Sequence, residues 1–174
     1  MKLLMDSDCL IKLTKAGLKD LVAEESIVTI PGIVEQEVVE AGKNKGCADA
    51  QIVEENIQAQ KIHVMGSTQE YPKGDDALLH LYRREEFDAV ATDDAKLVRR
   101  FKMYGIPFIL PALILYKLWK DQLIDELTVY TREVHQELCL PGSSALPSRA
   151  WIIRCMDNES TSHRGEWLCR PVPL

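Results

Sequence analysis

Short apolar runs alternate with segments of helical periodicity along most of the chain, and this alternation restricts the fold more than any other feature. Lys2–Met5, Ser26–Ile30, Asp88–Thr92 and Pro107–Leu110 read as strands, and Lys61–Met65 as a further short one. Between the first two, Cys9–Leu18 carries Leu10, Ile11, Leu13 and Leu18 at helical spacing, with Gly17 ending its first stretch. Pro31 opens a helix running to about Ala41, with Gly42 closing it, because proline lacks only an N–H that the first helical turn leaves unbonded anyway. A longer helix is predicted over Ala48–Ala59, with Ile52, Val53 and Ile57 inward. The turn Pro72-Lys73-Gly74 leads into a helix opened by Asp75 and Asp76, where acids complement the helix dipole. Asp94–Tyr104 is predicted helical, with Leu97, Val98 and Phe101 on its apolar face and Gly105 as its cap. Parallel strands need crossover helices, and those helices cover the sheet. The expected fold is therefore α/β, with a short parallel sheet of four to five strands covered on both faces.

From Pro111 to about Leu138 two further helices are expected. Beyond Cys139 the pattern stops. Every lysine lies before Asp121, four of the nine arginines lie after Leu138, and Pro, Ser and Gly are scattered. The 174 residues divide on this reading into a domain over 1–138 and a poorly structured tail over 139–174, either a true extension or an artefactual end. Met1-Lys2 leads into only three apolar residues before Asp6, unlike a signal peptide. No apolar run approaches the roughly 20 residues of a membrane span. The expectation is a cytoplasmic protein with no membrane partner. The five cysteines form no CxxC pair and read as buried or idle thiols in a reducing compartment. A zinc site from Cys139, Cys155, Cys169 and His163 is a minor alternative.

The acids fall where a doubly wound sheet places its site, at the carboxyl ends of strands. Asp6 ends the first strand, Glu37 lies about a turn into the helix after the second, Asp75 and Asp76 open a helix, and Asp93 and Asp94 end the strand Asp88–Thr92. One acid at a strand end is ordinarily a helix cap or turn residue. Several converging acids repel one another unless cations sit between them. Oxygen ligands without His or Cys suit Mg²⁺ or Mn²⁺, which favours hydrolysis of a phosphate ester without a protein nucleophile. The formal net charge of −6 counts against nonspecific phosphate binding unless metal offsets the acids.

In order and spacing these segments resemble the PIN-domain family. Leu3-Leu4-Met5-Asp6-Ser7-Asp8 looks like its opening strand, and Ile30-Pro31-Gly32-Ile33-Val34-Glu35-Gln36-Glu37-Val38 like its second segment. Gly74-Asp75-Asp76-Ala77-Leu78 is similar to the third. Val90-Ala91-Thr92-Asp93-Asp94-Ala95-Lys96-Leu97, followed by Gly105-Ile106-Pro107-Phe108, resembles the fourth. The match covers about residues 1–115. It implies a three-layer α/β/α fold and Mg²⁺- or Mn²⁺-dependent cleavage of RNA, often as the toxin of a toxin–antitoxin pair with an antitoxin partner. It carries the metal-binding and catalytic acids onto Asp6, Glu37, Asp76 and Asp94, with Asp75 and Asp93 as rivals for the last two positions. Ser7 and Thr92 match positions that orient a ligand or phosphate. Asp8 departs from the commoner Asn or Ser.

Two other functions compete. Asp6-Ser7-Asp8 after an apolar strand also fits the Asp-x-Asp opening of a haloacid-dehalogenase-type phosphatase, with Asp6 as nucleophile. A catalytically silent PIN module that only binds RNA or a partner is the third reading. Lys96, Arg99, Arg100 and Lys102 follow Asp94 on its helix. They read either as a solvated face or as a basic stripe that holds an RNA backbone. A homodimer through the Pro111–Leu138 helices is a further expected partner.

Overall fold

The computed structural model describes residues 1–67, 71 and 73–124. The apolar runs form β1 (Lys2–Met5), β2 (Ile27–Pro31), β3 (Ile62–Met65), β4 (Ala89–Ala91) and β5 (Phe108–Ile109). Among the described residues these five strands make one all-parallel sheet in the order β3-β2-β1-β4-β5. The period of two along β1 decides what lies on each face. Leu3 and Met5 join Val28, Ile30, Ala91 and Ile109 in one core, which is closed by Leu10 and Leu13 of α1 (Ser7–Lys15), Val53 of α5 (Ala48–Gln58) and Leu118 of α8 (Pro111–Lys120). Leu4 points the other way, into a second core with Val90, Leu78 and Leu81 of α6 (Gly74–Arg84), and Leu97 and Phe101 of α7 (Ala95–Tyr104). The result is the expected three-layer α/β/α arrangement.

Three helical boundaries differ from the sequence reading. The helix after β1 begins at Ser7, ahead of the expected Cys9, because the Asp6 carboxylate accepts the Ser7 N–H at 2.7 Å and caps it. It ends at Lys15, and Gly17 turns the chain with a φ of 70°. A short second helix, α2 (Lys19–Glu25), follows. It buries only Lys19 and Val22, too little apolar periodicity to be read from sequence.

The third difference concerns Gly42. The helical segment after β2 does not stop there. It runs through α3 (Gly32–Glu35), a π-helical turn (Gln36–Glu40) and α4 (Ala41–Asn44). Gly42 serves close packing instead: a Cβ on it would lie 2.7 Å from the Cβ of Ala50 on α5. Gly105, by contrast, is the expected left-handed cap of α7, with φ 66°.

The first of the two helices expected over Pro111–Leu138 is α8. The second, Pro72 of the predicted turn, the tail from Cys139 and the cysteine–histidine set Cys139, Cys155, Cys169 and His163 lie outside the described residues. Among the described residues no helix is long and apolar enough to cross a membrane.

The strand order reverses at β1. The chain moves from it to β2 and β3 on one side, and later adds β4 and β5 on the other. Such a reversal opens a crevice at the carboxyl end of the central strand. Asp6 is the residue that follows β1 there.

Candidate active site

Asp6 is 8% exposed. Its Oδ1 caps α1, and its Oδ2 accepts a hydrogen bond from Thr92 Oγ1 at 2.8 Å. Burial pushes its carboxyl up to about 6, although the Thr92 and Ser7 hydrogen bonds pull the other way and the nearby Asp8 and Asp75 add to the rise. Two bonds that favour the ionised form thus fail to offset the lost hydration.

Thr92 is fully buried. Its hydroxyl donates to Asp6 and accepts from the Asp94 backbone N–H at 3.2 Å. Asp94 has the extended backbone of an N-cap, and its Oδ1 accepts from Lys96 N at 2.5 Å and Leu97 N at 3.2 Å. The cap engages one carboxylate oxygen and leaves Oδ2 outside those two bonds. Asp93, its neighbour, pairs with Lys12 of α1.

Glu37 stands in the π-helical turn, an irregularity that re-aims side chains and recurs at functional sites. A Cβ on Gly74, at the start of α6, would lie 3.7 Å from Glu37 Oε2. The start of α6 thus lies at contact distance from the Glu37 carboxylate. Burial raises the Glu37 carboxyl, the Ser7 hydroxyl lowers it by hydrogen bonding, and the charges of Asp75 and Asp8 raise it again. Ser7 therefore serves two acids, its backbone N–H bonding Asp6 Oδ1 and its hydroxyl bonding Glu37.

The structure brings Asp6, Thr92 and Asp94 into one bonded chain, and places Asp8 and Asp75 within electrostatic reach of both Asp6 and Glu37. Asp76, on the adjoining helical position, turns to Arg100, which donates to its Oδ1 at 2.9 Å. Lys96 and Arg99 are exposed on α7, and Arg99 Nε donates to the Ala95 carbonyl of its own helix. Among the described residues no three His, Cys, Asp or Glu side chains are gathered as a preformed metal-ion site. Carboxylates with no cation between them repel and take basic neighbours, as Asp93 and Asp76 do. The partners Lys12 and Arg100 carry no local sequence signal, because each reaches its acid across the fold.

Cys9 lies beneath this group, fully buried, and burial together with Asp6 and Asp93 holds its thiol well above the usual range. It is not poised as a nucleophile.

A family model described as a PIN domain matches residues 2–140 of the chain. No curated protein and no solved structure matches it.

Proposed function

The chain belongs to the PIN-domain family, whose members are generally nucleases, and from that premise we propose that it is a divalent-metal-dependent endoribonuclease that hydrolyses RNA phosphodiester bonds. The observation that carries the reading is Asp6: a carboxyl at a strand-order reversal, so buried that its titration moves to about 6. A cation beside it would restore the ionised form. The donor set around it is oxygen only, which fits Mg²⁺ or Mn²⁺.

In this reading Asp6, Glu37 and Asp94 hold the metal, with the α6 pair supplying the next ligand. Family resemblance points to Asp76 for that place, and proximity to Asp6 and Glu37 points to Asp75. Asp93, paired with Lys12, is the weaker rival of Asp94. A bound Mg²⁺ or Mn²⁺ supplies Lewis acidity at the phosphate and makes a nearby water more acidic. The chain's own residues do the positioning. Thr92 fixes Asp6 Oδ2, the α7 cap fixes Asp94, and Ser7 ties Asp6 to Glu37. Lys96 and Arg99 offer exposed charge for the RNA backbone at the one side where an acidic protein needs it. Water attacks phosphorus, the phosphorus–oxygen bond to the leaving strand breaks, and that oxygen takes up a proton.

A toxin–antitoxin pair is the context this activity fits, with the cytoplasm as its setting and a homodimer through the α8 region as its assembly. A small DNA-binding antitoxin encoded directly upstream would support that context. Family membership sets aside the haloacid-dehalogenase alternative built on Asp6 and Asp8.

The test is cleavage of single-stranded RNA by the full chain with Mg²⁺ or Mn²⁺, with EDTA, and in Asp6→Asn and Glu37→Gln variants. Cleavage that needs metal and disappears in both variants is expected. Undiminished cleavage in EDTA would overturn the reading. RNA binding without cleavage under every metal condition would identify a silent module, and turnover of a chromogenic phosphate ester would return the phosphatase.

A further inference from the structure

Two basic side chains reach the strand ends from within the fold, and each settles on particular acids. Lys12 takes Asp93. Arg100 is half-buried on α7; its Nη2 donates to Asp76 Oδ1 at 2.9 Å, and its Nη1 lies 3.6 Å from Asp75 Oδ2. Asp75 in turn is near enough to raise the carboxyls of both Asp6 and Glu37. The guanidinium therefore sits at the rim of the acid group, on the first turn of α6, with one arm toward each α6 carboxylate.

Resting on the metal-dependent reading above, we propose that Arg100 is the resident counter-cation of the α6 acids, and that a divalent ion must displace it from Asp76 to use that carboxylate. A guanidinium stays charged at any working pH and cannot leave by losing its proton. A divalent ion ligated by Asp76 would stand a few ångströms from that fixed charge, in a partly desolvated place where like charges repel strongly. Arginine and metal are then alternative partners of one acid, linked by a coupling free energy that acts equally in both directions. Arg100 stabilises the metal-free protein by bridging α6 and α7, and weakens metal binding by the same contact. Once displaced, the guanidinium joins Lys96 and Arg99 on the exposed face of α7, where it meets phosphate. The order of assembly follows: metal first, then the full set of backbone contacts.

A plain strut between α6 and α7 is the competing explanation, and metal affinity separates the two. Mn²⁺ binding to the full chain is measured by titration calorimetry without RNA, so that no catalysis enters the readout. Arg100→Gln is expected to bind Mn²⁺ about tenfold more tightly than the wild type, within the usual range of such couplings. Arg100→Lys should fall between them, because an ammonium keeps the charge but not the fork. Lys102→Gln, which removes an equal charge from the same helix, should leave the Kd within about twofold, the scale of a screened surface charge. In an Asp76→Asn background the Arg100→Gln gain should vanish. An unchanged or weaker Mn²⁺ affinity in Arg100→Gln would leave only the strut, and an equal gain in Lys102→Gln would reduce the effect to bulk charge. Persistence of the gain without the Asp76 carboxylate would also overturn the proposal. Absence of Mn²⁺ binding in both the wild type and Arg100→Gln would overturn it together with the metal-dependent reading, a result distinct from binding at unchanged affinity.

Discussion

The hydroxyl of Thr92 donates to Asp6 Oδ2 at 2.8 Å and joins the ends of two neighbouring parallel strands, β1 and β4. Thr92 is fully buried and Asp6 nearly so. The bond therefore secures the most desolvated acid of the site. Thr92→Val keeps the shape and removes the donor. At pH 7 it should cost about 1–3 kcal/mol, the penalty of leaving a buried acceptor unpaired, and should weaken Mn²⁺ binding. Thr92→Ser should lose less than half of that. Urea unfolding and calorimetry of the two variants check this, and equal behaviour of Val and Ser would deny the bond its role.

Asp6 also sets a pH dependence. Its folded carboxyl titrates at about 6 against an ordinary 3.8, so between those values the folded state holds a proton that the unfolded state has released. Stability from this group is therefore greatest at low pH and declines as pH rises through about 4 to 6. The full decline is on the order of 3 kcal/mol, at 1.36 kcal/mol per pKa unit. Other carboxylates slope differently, so the comparison is wild type against Asp6→Asn in EDTA. The variant should gain on the wild type from pH 4 to pH 7. Mg²⁺ at pH 7 should return much of the loss to the wild type and none to Asp6→Asn. A stability difference that does not change with pH would contradict the burial argument.

Single changes of Asp6, Glu37, Asp76 and Asp94 to the matching amide should each abolish RNA cleavage while the fold persists. Asp94 allows a sharper separation, because it is both cap and proposed ligand. Asp94→Asn should keep the cap, since Asn caps helices as well as Asp does. Asp94→Ala should lose about 0.5–2 kcal/mol of stability as well. Asp75→Asn and Asp76→Asn, assayed in parallel, test the α6 assignment: Asp76→Asn is expected to be the more damaging, and the reverse order would give the place to Asp75. Wild-type rates in any two of the four amide variants would remove the carboxylate assignment.

The exposed α7 cations make a prediction about salt. Replacing Lys96 and Arg99 by Gln should weaken RNA binding without altering Mn²⁺ affinity. The dependence of log affinity on log salt should flatten by roughly 0.7 per lost contact for a single strand. Binding is measured with Ca²⁺ in place of Mg²⁺ at several salt concentrations. An unchanged slope would show these side chains to be ordinary solvated surface.

The fold was legible because its signals are periodic and local. The apolar runs locate all five strands to within a residue or two, and Gly105 marks the end of α7 by the left-handed turn that glycine takes without strain. Gly42 looked like the same signal, yet its reason lies in Ala50, a packing partner that no local pattern announces. The acids stood out by their place after strands. The pairing of Arg100 with Asp76, across 24 residues, did not, because the α7 cations are alike in sequence and only the tertiary arc of the helix turns one inward. Asp75 and Asp76 stayed ambiguous for a related reason: adjacent helical side chains point about 100° apart, and only neighbouring elements decide which one faces the other acids.

The π-helical turn Gln36–Glu40 lets one continuous helical stretch obey two masters. A π turn is an α-helix carrying an additional residue, which delays the rotation of everything after it. Ahead of the turn, Val34 must face the core; beyond it, Gly42 must meet Ala50. Both demands lie on one segment, with Glu37 directed at α6 in between. The additional residue acts as a phase shifter that reconciles them. The segment therefore has a fixed length as well as a fixed composition: insertion or deletion here would throw scaffold and chemistry out of step.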